Sequence, residues 1–259
     1  MPRAHLERRA MSITRAIILS AGKGSRLLPL TADTPKCLLD CSGKPLLEWQ
    51  LDALFAGGFA EAVIVTGFRE DKVDLLAEAQ RAAGRAVSTL FNPFYHVADN
   101  LGSIWMARGA FDRDCAVLNG DTLIAPEIVR LLRTQARDDA ITLCVNEKAE
   151  FDADDMKVLR DGVRLLRVGK TIEQYDAESI GFMAFAGTAR AAFLAEIEAS
   201  MRRPDGVSSW YLKAIDRIAA QGIIATAAIG EAAWQEVDFP EDLEKAAALT
   251  ARWTREGFA

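Results

Sequence analysis

The sequence predicts an α/β fold with a doubly wound, mostly parallel sheet, and three observations carry that expectation. Apolar runs without polar alternation recur at 17–19, 62–66, 115–118 and 140–145, as in strands buried on both faces. Segments with helical apolar spacing separate these runs, and several of them end at glycine. The first run passes straight into a glycine turn that ends in cations, Ser20-Ala21-Gly22-Lys23-Gly24-Ser25-Arg26. Strands and helices alternating in this way give parallel strands joined by crossover helices, a Rossmann-like arrangement. The 259 residues, 50% of them hydrophobic, suit one such domain with a small appended lobe.

Residues 45–55 have helical spacing and stop at Gly57-Gly58 before the strand at 62–66. A helix over 71–83 ends at Gly84, a strand follows at 86–91, and 101–110 is a short helix. The run at 115–118 is a buried strand leading into Asn119-Gly120-Asp121; 126–136 is helical and 140–145 is a strand. Beyond Asn146 the pattern changes, because 156–159 and 163–168 flank Asp161-Gly162, a strong hairpin signal. A small β-hairpin excursion is therefore expected, forming a lesser lobe around 146–182 of a single domain over 14–259. The chain returns as a strand at 180–185, followed by helices at 189–201 and 208–220 and strands at 223–228 and 234–238. A last helix opens on Pro240, whose fixed φ suits the first helical turn. Residues 1–13 are arginine-rich without a following signal-type apolar segment, so a disordered extension is expected there, with translation starting at Met1 or Met11.

Composition excludes several classes. The net charge is −6 and the cations are scattered rather than gathered in a stripe, which argues against a nucleic-acid surface. No apolar run approaches the roughly 20 residues needed to cross a bilayer, so no membrane partner is expected. Cys37, Cys41, Cys115 and Cys144 lie in apolar surroundings and lack the second close pair of a zinc site, which suits reduced thiols in a cytoplasmic protein. His5 and His96 are too few for a histidine metal centre. Helices near the C-terminus would either pair two copies as a homodimer or bury their apolar stripe within one chain.

The opening turn is built to hold a triphosphate. Glycines let backbone N–H groups approach an anion, Arg26 offers a fork to phosphate oxygens, and Lys36 offers a compact charge. Walker A needs Gly-Lys-Ser/Thr at its end, which Gly22-Lys23-Gly24-Ser25 does not supply. The dinucleotide fingerprint needs a third glycine or alanine where Leu27 stands. A ligand-free structural turn is the remaining rival, and it is weakened by the accompanying Pro29, Thr31, Pro35 and Lys36.

The stretch from Leu19 to Arg26, with Pro29-Leu30-Thr31 and Pro35-Lys36-Cys37-Leu38-Leu39, resembles the signature of the nucleotidyltransferases that activate sugar-1-phosphates or phosphocholine. Ser20 replaces the usual alanine, small for small. The resemblance continues in Gly43-Lys44-Pro45, Val65-Thr66-Gly67-Phe68, Asn119-Gly120-Asp121 and Trp234-Gln235-Glu236-Val237-Asp238, and so runs from Arg15 to about Leu249. It implies a nucleotide-diphospho-sugar transferase-like fold. It also implies Mg²⁺ held between Asp121 and Asp238, each of which would otherwise read as a turn or helix-cap aspartate. Arg26 and Lys36 would then neutralise phosphates beside the two aspartates, making these four the catalytic set. Leu19, Ala21, Gly22, Gly24, Ser25, Arg26 and Gly120 would hold the nucleotide.

Asp155-Met156-Lys157-Val158, then Gly169-Lys170 and Glu178-Ser179-Ile180-Gly181-Phe182, resemble the phosphocholine-type cytidylyltransferase branch. Asn92-Pro93-Phe94-Tyr95 and Asn100-Leu101-Gly102-Ser103 point the same way, with Asn100 and Ser103 beside a pyrimidine base; helix capping by Asn100 is an equal reading. CTP is thus the favoured nucleotide, with Lys157, Lys170, Glu178 and Tyr211 on the acceptor side. A choline head group would call for an aromatic cage, drawn from Trp105, Phe182, Trp210, Tyr211 and Trp234. A primary ammonium, as in aminoethylphosphonate or phosphoethanolamine, would instead meet Glu178, Asp152, Asp154 and Asp155. The alternatives are a sugar-1-phosphate nucleotidyltransferase using dTTP, UTP or GTP, and a non-catalytic nucleotide-binding regulatory protein.

Overall fold

A computed structural model describes residues 13–257. The expected N-terminal extension lies outside the described residues up to position 12, and Ile13 is fully buried in the core.

The chain opens with β1 (Arg15–Leu19), α1 (Leu46–Ala56), β2 (Glu61–Thr66), α2 (Glu70–Ala82), β3 (Ala86–Phe91) and α3 (Asn100–Met106). It continues through β4 (Cys115–Asn119), β5 (Thr122–Ile124), α4 (Pro126–Gln135), β6 (Ile141–Asn146), β7 (Lys157–Asp161), β8 (Arg164–Gly169) and β9 (Ala177–Phe185). It closes with α5 (Gly187–Met201), α6 (Tyr211–Ala219), β10 (Ile224–Ala228), β11 (Trp234–Glu236) and α7 (Pro240–Arg255). Among the described residues no helix is long and apolar enough to cross a membrane.

The main sheet has nine strands in the order β3-β2-β1-β4-β9-β6-β10-β8-β7. Strands β3, β2, β1 and β4 are mutually parallel, as are β6 and β10. Strand β9 runs antiparallel to both of its central neighbours, β4 and β6. Its nine residues are buried throughout, and a strand covered on both faces has the same apolar pattern in either direction. The expected hairpin is present as β7 and β8, with Gly162 at φ 58° in its turn.

Period-two alternation divides the core. Ile17, Val117 and Met183 face one layer with Phe193 of α5 and Ile215 of α6. Ile18, Ile64, Leu118 and Phe182 face the other with Leu51 of α1 and Ile128 of α4. A third cluster joins Leu27, Leu39, Trp49, Leu123, Val237 and Trp253, and so ties the loop carrying Lys36 to α7. There the Trp49 and Trp253 rings stand 6.0 Å apart, and Trp49 Nε1 donates to Cys41 O at 2.8 Å.

Strand register sets the site's position. Leu19 is level with Val65 of β2 and with Asn119 of β4, so the loops following all three strands leave the sheet together at its carboxyl edge.

Candidate active site

The turn after β1 is shaped by its glycines and by Thr31. Gly24 adopts φ 71°, and a Cβ there would lie 2.8 Å from Lys36 Cβ, so the glycine lets the lysine stem pack against the turn. Thr31 Oγ1 donates to Gly24 O at 2.7 Å, which fixes the return of the loop toward Lys36.

Asp121 and Asp238 meet through a short ribbon that sequence reading missed. Strands β5 and β11 pair antiparallel, with Glu236 opposite Thr122, and Val237 N donates to Asp121 O at 3.0 Å. Asp238 is therefore carried to the side of Asp121 although 117 positions separate them in the chain (238 − 121). Asp242 accepts from the backbone N–H groups of Asp238 and Phe239, at 3.2 and 3.0 Å, and fixes the entry to α7.

Lys36 lies between these carboxylates, its Nζ 2.9 Å from Asp121 Oδ2 and 2.6 Å from Asp238 Oδ1. Burial alone would lower the affinity of its ammonium for the proton, but the two carboxylates outweigh that and hold it above the usual lysine value. Arg26 Nη1 reaches Asp238 Oδ2 at 3.2 Å, and its guanidinium lies 5.3 Å from the Phe239 ring centre. All four residues expected to be catalytic thus converge.

A third acid stands beside them. Glu236 reaches solvent at the mouth of the cleft, yet protein crowds it, and with the Asp121 and Asp238 carboxylates this pushes its carboxyl up to about 8. Its place at the end of β11, two residues before Asp238, is the signal that could have revealed it.

On one side of this cluster lies a cavity of ≈ 210 Å³ lined by Leu19, Ala21, Gly22, Asn100, Ser103, Gly120 and Asp121, together with Tyr95 and Asn119. Six residues expected at the nucleotide are therefore brought together, and Gly24 and Ser25 stand outside this cavity in the adjoining turn. Asn92, fully buried, donates to Ser103 Oγ at 3.2 Å and so orients that hydroxyl. Asn100 Oδ1 is already engaged by the Tyr211 N–H at 2.9 Å, capping α6, which leaves its amide N–H groups for a ligand. Tyr95 enters the cavity because Gly67 has no Cβ: one would lie 2.5 Å from Tyr95 Cβ and 2.6 Å from Ala21 O.

On the other side a cleft of ≈ 650 Å³ is rich in acids, including Asp152, Asp154, Asp155, Glu178, Glu236 and Glu241. Glu178 is 4% exposed; it accepts from Asn146 Nδ2 at 2.8 Å and pairs with Lys148 at 2.7 Å, and Lys148 also reaches Asp155 at 2.8 Å. Burial raises the Glu178 carboxyl despite Lys148 and Asn146, while the Asp155 carboxyl, more open to solvent and bonded to Lys148, is lowered.

Three residues expected on the acceptor side are placed elsewhere. Lys157 directs its ammonium at the carbonyls of Asp152 and Lys170, at 2.7 and 3.3 Å, and thereby holds the loop. Lys170 pairs with Asp154 at 3.0 Å and stands 5.1 Å from the Trp210 ring, facing a separate cavity. Tyr211 is fully buried, with its hydroxyl on Asn119 Oδ1 at 3.0 Å. Of the five rings considered for a cage, Trp234 lines the cleft, whereas Trp105 bonds Glu198, Phe182 and Tyr211 are core, and Trp210 faces the separate cavity.

The model of a family described as nucleotidyl transferase matches residues 15–153, more than half of the chain, a span that includes the loop bearing Arg26 and Lys36 and the β4–β5 turn bearing Asp121. The chain belongs to this nucleotidyl transferase family. It is 30% identical over 241 residues to CMP-5'-(3-aminopropyl)phosphonate synthase of Streptomyces rubellomurinus, a match covering 90% of this chain and 38% of that protein. It is 31% identical over 150 residues to choline-phosphate cytidylyltransferase of Streptococcus pneumoniae, covering 56% of this chain and 61% of that protein. The matches thus span 38% and 61% of the lengths of these two relatives, less than two thirds of either. In fold it is similar to the inositol-1-phosphate CTP transferase from T. maritima, with a TM-score of 0.74, 21% identity, and coverage of 93% of this chain and 96% of that one.

Proposed function

We propose that the protein is a Mg²⁺-dependent cytidylyltransferase that transfers CMP from CTP to a small phosphorylated or phosphonylated acceptor bearing an ammonium group, releasing pyrophosphate. The observation that carries this reading is the Lys36-Asp121-Asp238 cluster between two cavities, one sized for a base and one lined by acids.

The donor set suits magnesium. Two hard carboxylates already converge on one cationic centre, and Mg²⁺ commonly takes one or two carboxylates and completes its octahedron with water and phosphate oxygens. Among the described residues no cluster of three or more His, Cys, Asp or Glu is arranged to hold a metal, so a two-carboxylate site is the arrangement to test. When bound, the metal supplies charge neutralisation to the phosphates; Asp121 and Asp238 would hold it.

The chain's own groups do the rest. Arg26 and the N–H groups of the turn meet the leaving phosphates, and Lys36 moves from its carboxylates onto the α-phosphate and the incoming oxygen. The acceptor oxygen attacks phosphorus in line, forming the new P–O bond as the bond to pyrophosphate breaks. A phosphate or phosphonate oxyanion is already deprotonated at neutral pH, so no general base is required; positioning and charge account for the rate. The acid-lined cleft would hold the acceptor's ammonium. It favours a primary amine over a quaternary one, because among the residues lining that cleft aromatic rings are few beside the carboxylates.

The test is pyrophosphate release with CTP, UTP, dTTP and GTP, each against aminoethylphosphonate, phosphoethanolamine, phosphocholine and glucose-1-phosphate. Turnover with CTP and an aminoalkyl acceptor is expected. Turnover confined to a sugar phosphate with another nucleotide would replace this reading, and nucleotide binding without pyrophosphate release would make the protein a sensor.

A further inference from the structure

Asp121 sits on a two-residue turn between β4 and β5, and that turn is gripped from behind. Gln50, midway along α1 and fully buried, donates from Nε2 to Asn119 O at 2.8 Å and to Thr122 O at 2.9 Å. These are the carbonyls on either side of Gly120-Asp121. Both partners are acceptors, which fixes the orientation of the amide. Gln50 Oε1 is buried without a hydrogen-bond partner, a desolvation cost that an apolar side chain of the same size would avoid. The residue is therefore accounted for by its two donors rather than by packing.

A second group grips the same turn from the opposite layer of the core. Tyr211 Oη donates to Asn119 Oδ1 at 3.0 Å while its backbone N–H is held by Asn100, a residue of the nucleotide cavity. Gly181, at φ 72°, makes room for that asparagine, since a Cβ there would lie 2.4 Å from Asn119 Nδ2.

We infer that Gln50 is a positioning residue which, together with Tyr211, clamps the 119–122 turn and so fixes the Asp121 carboxylate against Lys36 and Asp238. Its kinetic consequence rests on the cytidylyltransferase reading; the clamp itself does not. Groups that orient the residues of a metal or catalytic site typically contribute about 10- to 100-fold to activity.

Gln50→Met keeps the length and removes both donors. In the folded variant, amide hydrogen exchange is expected to quicken in the peptide spanning 119–122 and to stay unchanged in β2 and β3. Mn²⁺ binding to the nucleotide-free protein, followed by electron paramagnetic resonance, is expected to weaken, and kcat to fall about 10- to 100-fold with the KM for CTP little changed. Wild-type exchange at 119–122 together with wild-type kcat would overturn the inference. Tyr211→Phe, which keeps the ring in the core, is expected to quicken exchange in the same peptide. If Gln50→Met does not fold, unchanged exchange in Tyr211→Phe overturns it instead. A wild-type protein that turns over no nucleotide would defeat the proposed function while leaving the exchange result to judge the clamp.

Discussion

The Lys36 ammonium lies 2.6 Å from Asp238 Oδ1 and bridges on to Asp121, so a lysine stands where two carboxylates would otherwise face each other. Phosphates and a divalent cation together would free it, since the metal can take over the carboxylates while the ammonium turns to the nucleotide.

Lys36→Met should accordingly have two separable effects. Turnover should fall by about 10²- to 10³-fold, the range for losing one preorganised donor at a developing charge. In the presence of a chelator the melting temperature should also drop, by roughly 2–4 °C for each kcal/mol lost, because the carboxylates now repel. Added Mg²⁺ should restore the melting temperature and leave the turnover defect. A variant melting alike with chelator and with Mg²⁺ would show that the metal does not use these carboxylates.

Gly120 tests how tightly the Asp121 turn abuts β1. A Cβ there would lie 2.3 Å from Leu19 O and 2.8 Å from Ser20 Oγ, and the first of these is backbone that cannot swing away. Gly120→Ala should cost about 1–3 kcal/mol of stability by overpacking and should lower kcat by moving Asp121. Gly109→Ala, with nothing within 4 Å of the added carbon, should leave the melting temperature close to wild type. Denaturant melts of the two variants give the comparison directly.

Local chemistry made most of this architecture readable in advance. The runs at 17–19 and 115–118 announce buried strands, and Asp161-Gly162 announces a hairpin, because each signal lies within a few residues. The short β5 was not legible, since Thr122-Leu123-Ile124 becomes a strand only through β11, more than a hundred positions later. The antiparallel direction of β9 was hidden for a related reason: its burial pattern has no polarity. In the site, Arg26 and Lys36 belong to one linear motif and Asp121 and Asp238 were expected from the family resemblance, whereas Lys148 and Gln50 act through partners distant in sequence, Glu178 for one and Thr122 for the other. Lys157 shows the converse, because a lysine's spacing gives no hint that its ammonium is occupied by two carbonyls.

The four thiols provide a pH test of the core. Burial pushes Cys37, Cys41 and Cys115 up to about 12 and moves Cys144 upward as well. The folded state therefore keeps its thiol protons at a pH where the unfolded chain, titrating near 9.0, releases them. The contribution of these groups is intact below about pH 9 and is lost as pH rises toward 12, since stability falls wherever the native state binds more protons. Labelling with a thiol reagent between pH 7 and 9 should be slow in the native protein and should reach all four cysteines in denaturant. Rapid native labelling of any of them would mean that its side chain is not packed as found.

Glu178 is where acceptor choice should be decided. Its carboxylate is buried, is held by Asn146, and is paired with Lys148, which it shares with Asp155. An incoming ammonium can replace Lys148 at this pair of acids at little net cost, because one cation is exchanged for another and no carboxylate is left unpaired in the cleft. Glu178→Gln removes the charge and preserves the shape and the hydrogen bond to Asn146, provided its amide turns its oxygen to that partner. The KM for aminoethylphosphonate should then rise about tenfold, the equivalent of roughly 1.4 kcal/mol for a lost charge-assisted contact. The KM for CTP should be unaffected, because the cavity proposed for the nucleotide lies across the Lys36 cluster. Steady-state kinetics with aminoethylphosphonate and with ethylphosphonate, which lacks the amine, separate charge from packing: a parallel rise for both acceptors would place the ammonium elsewhere in the cleft.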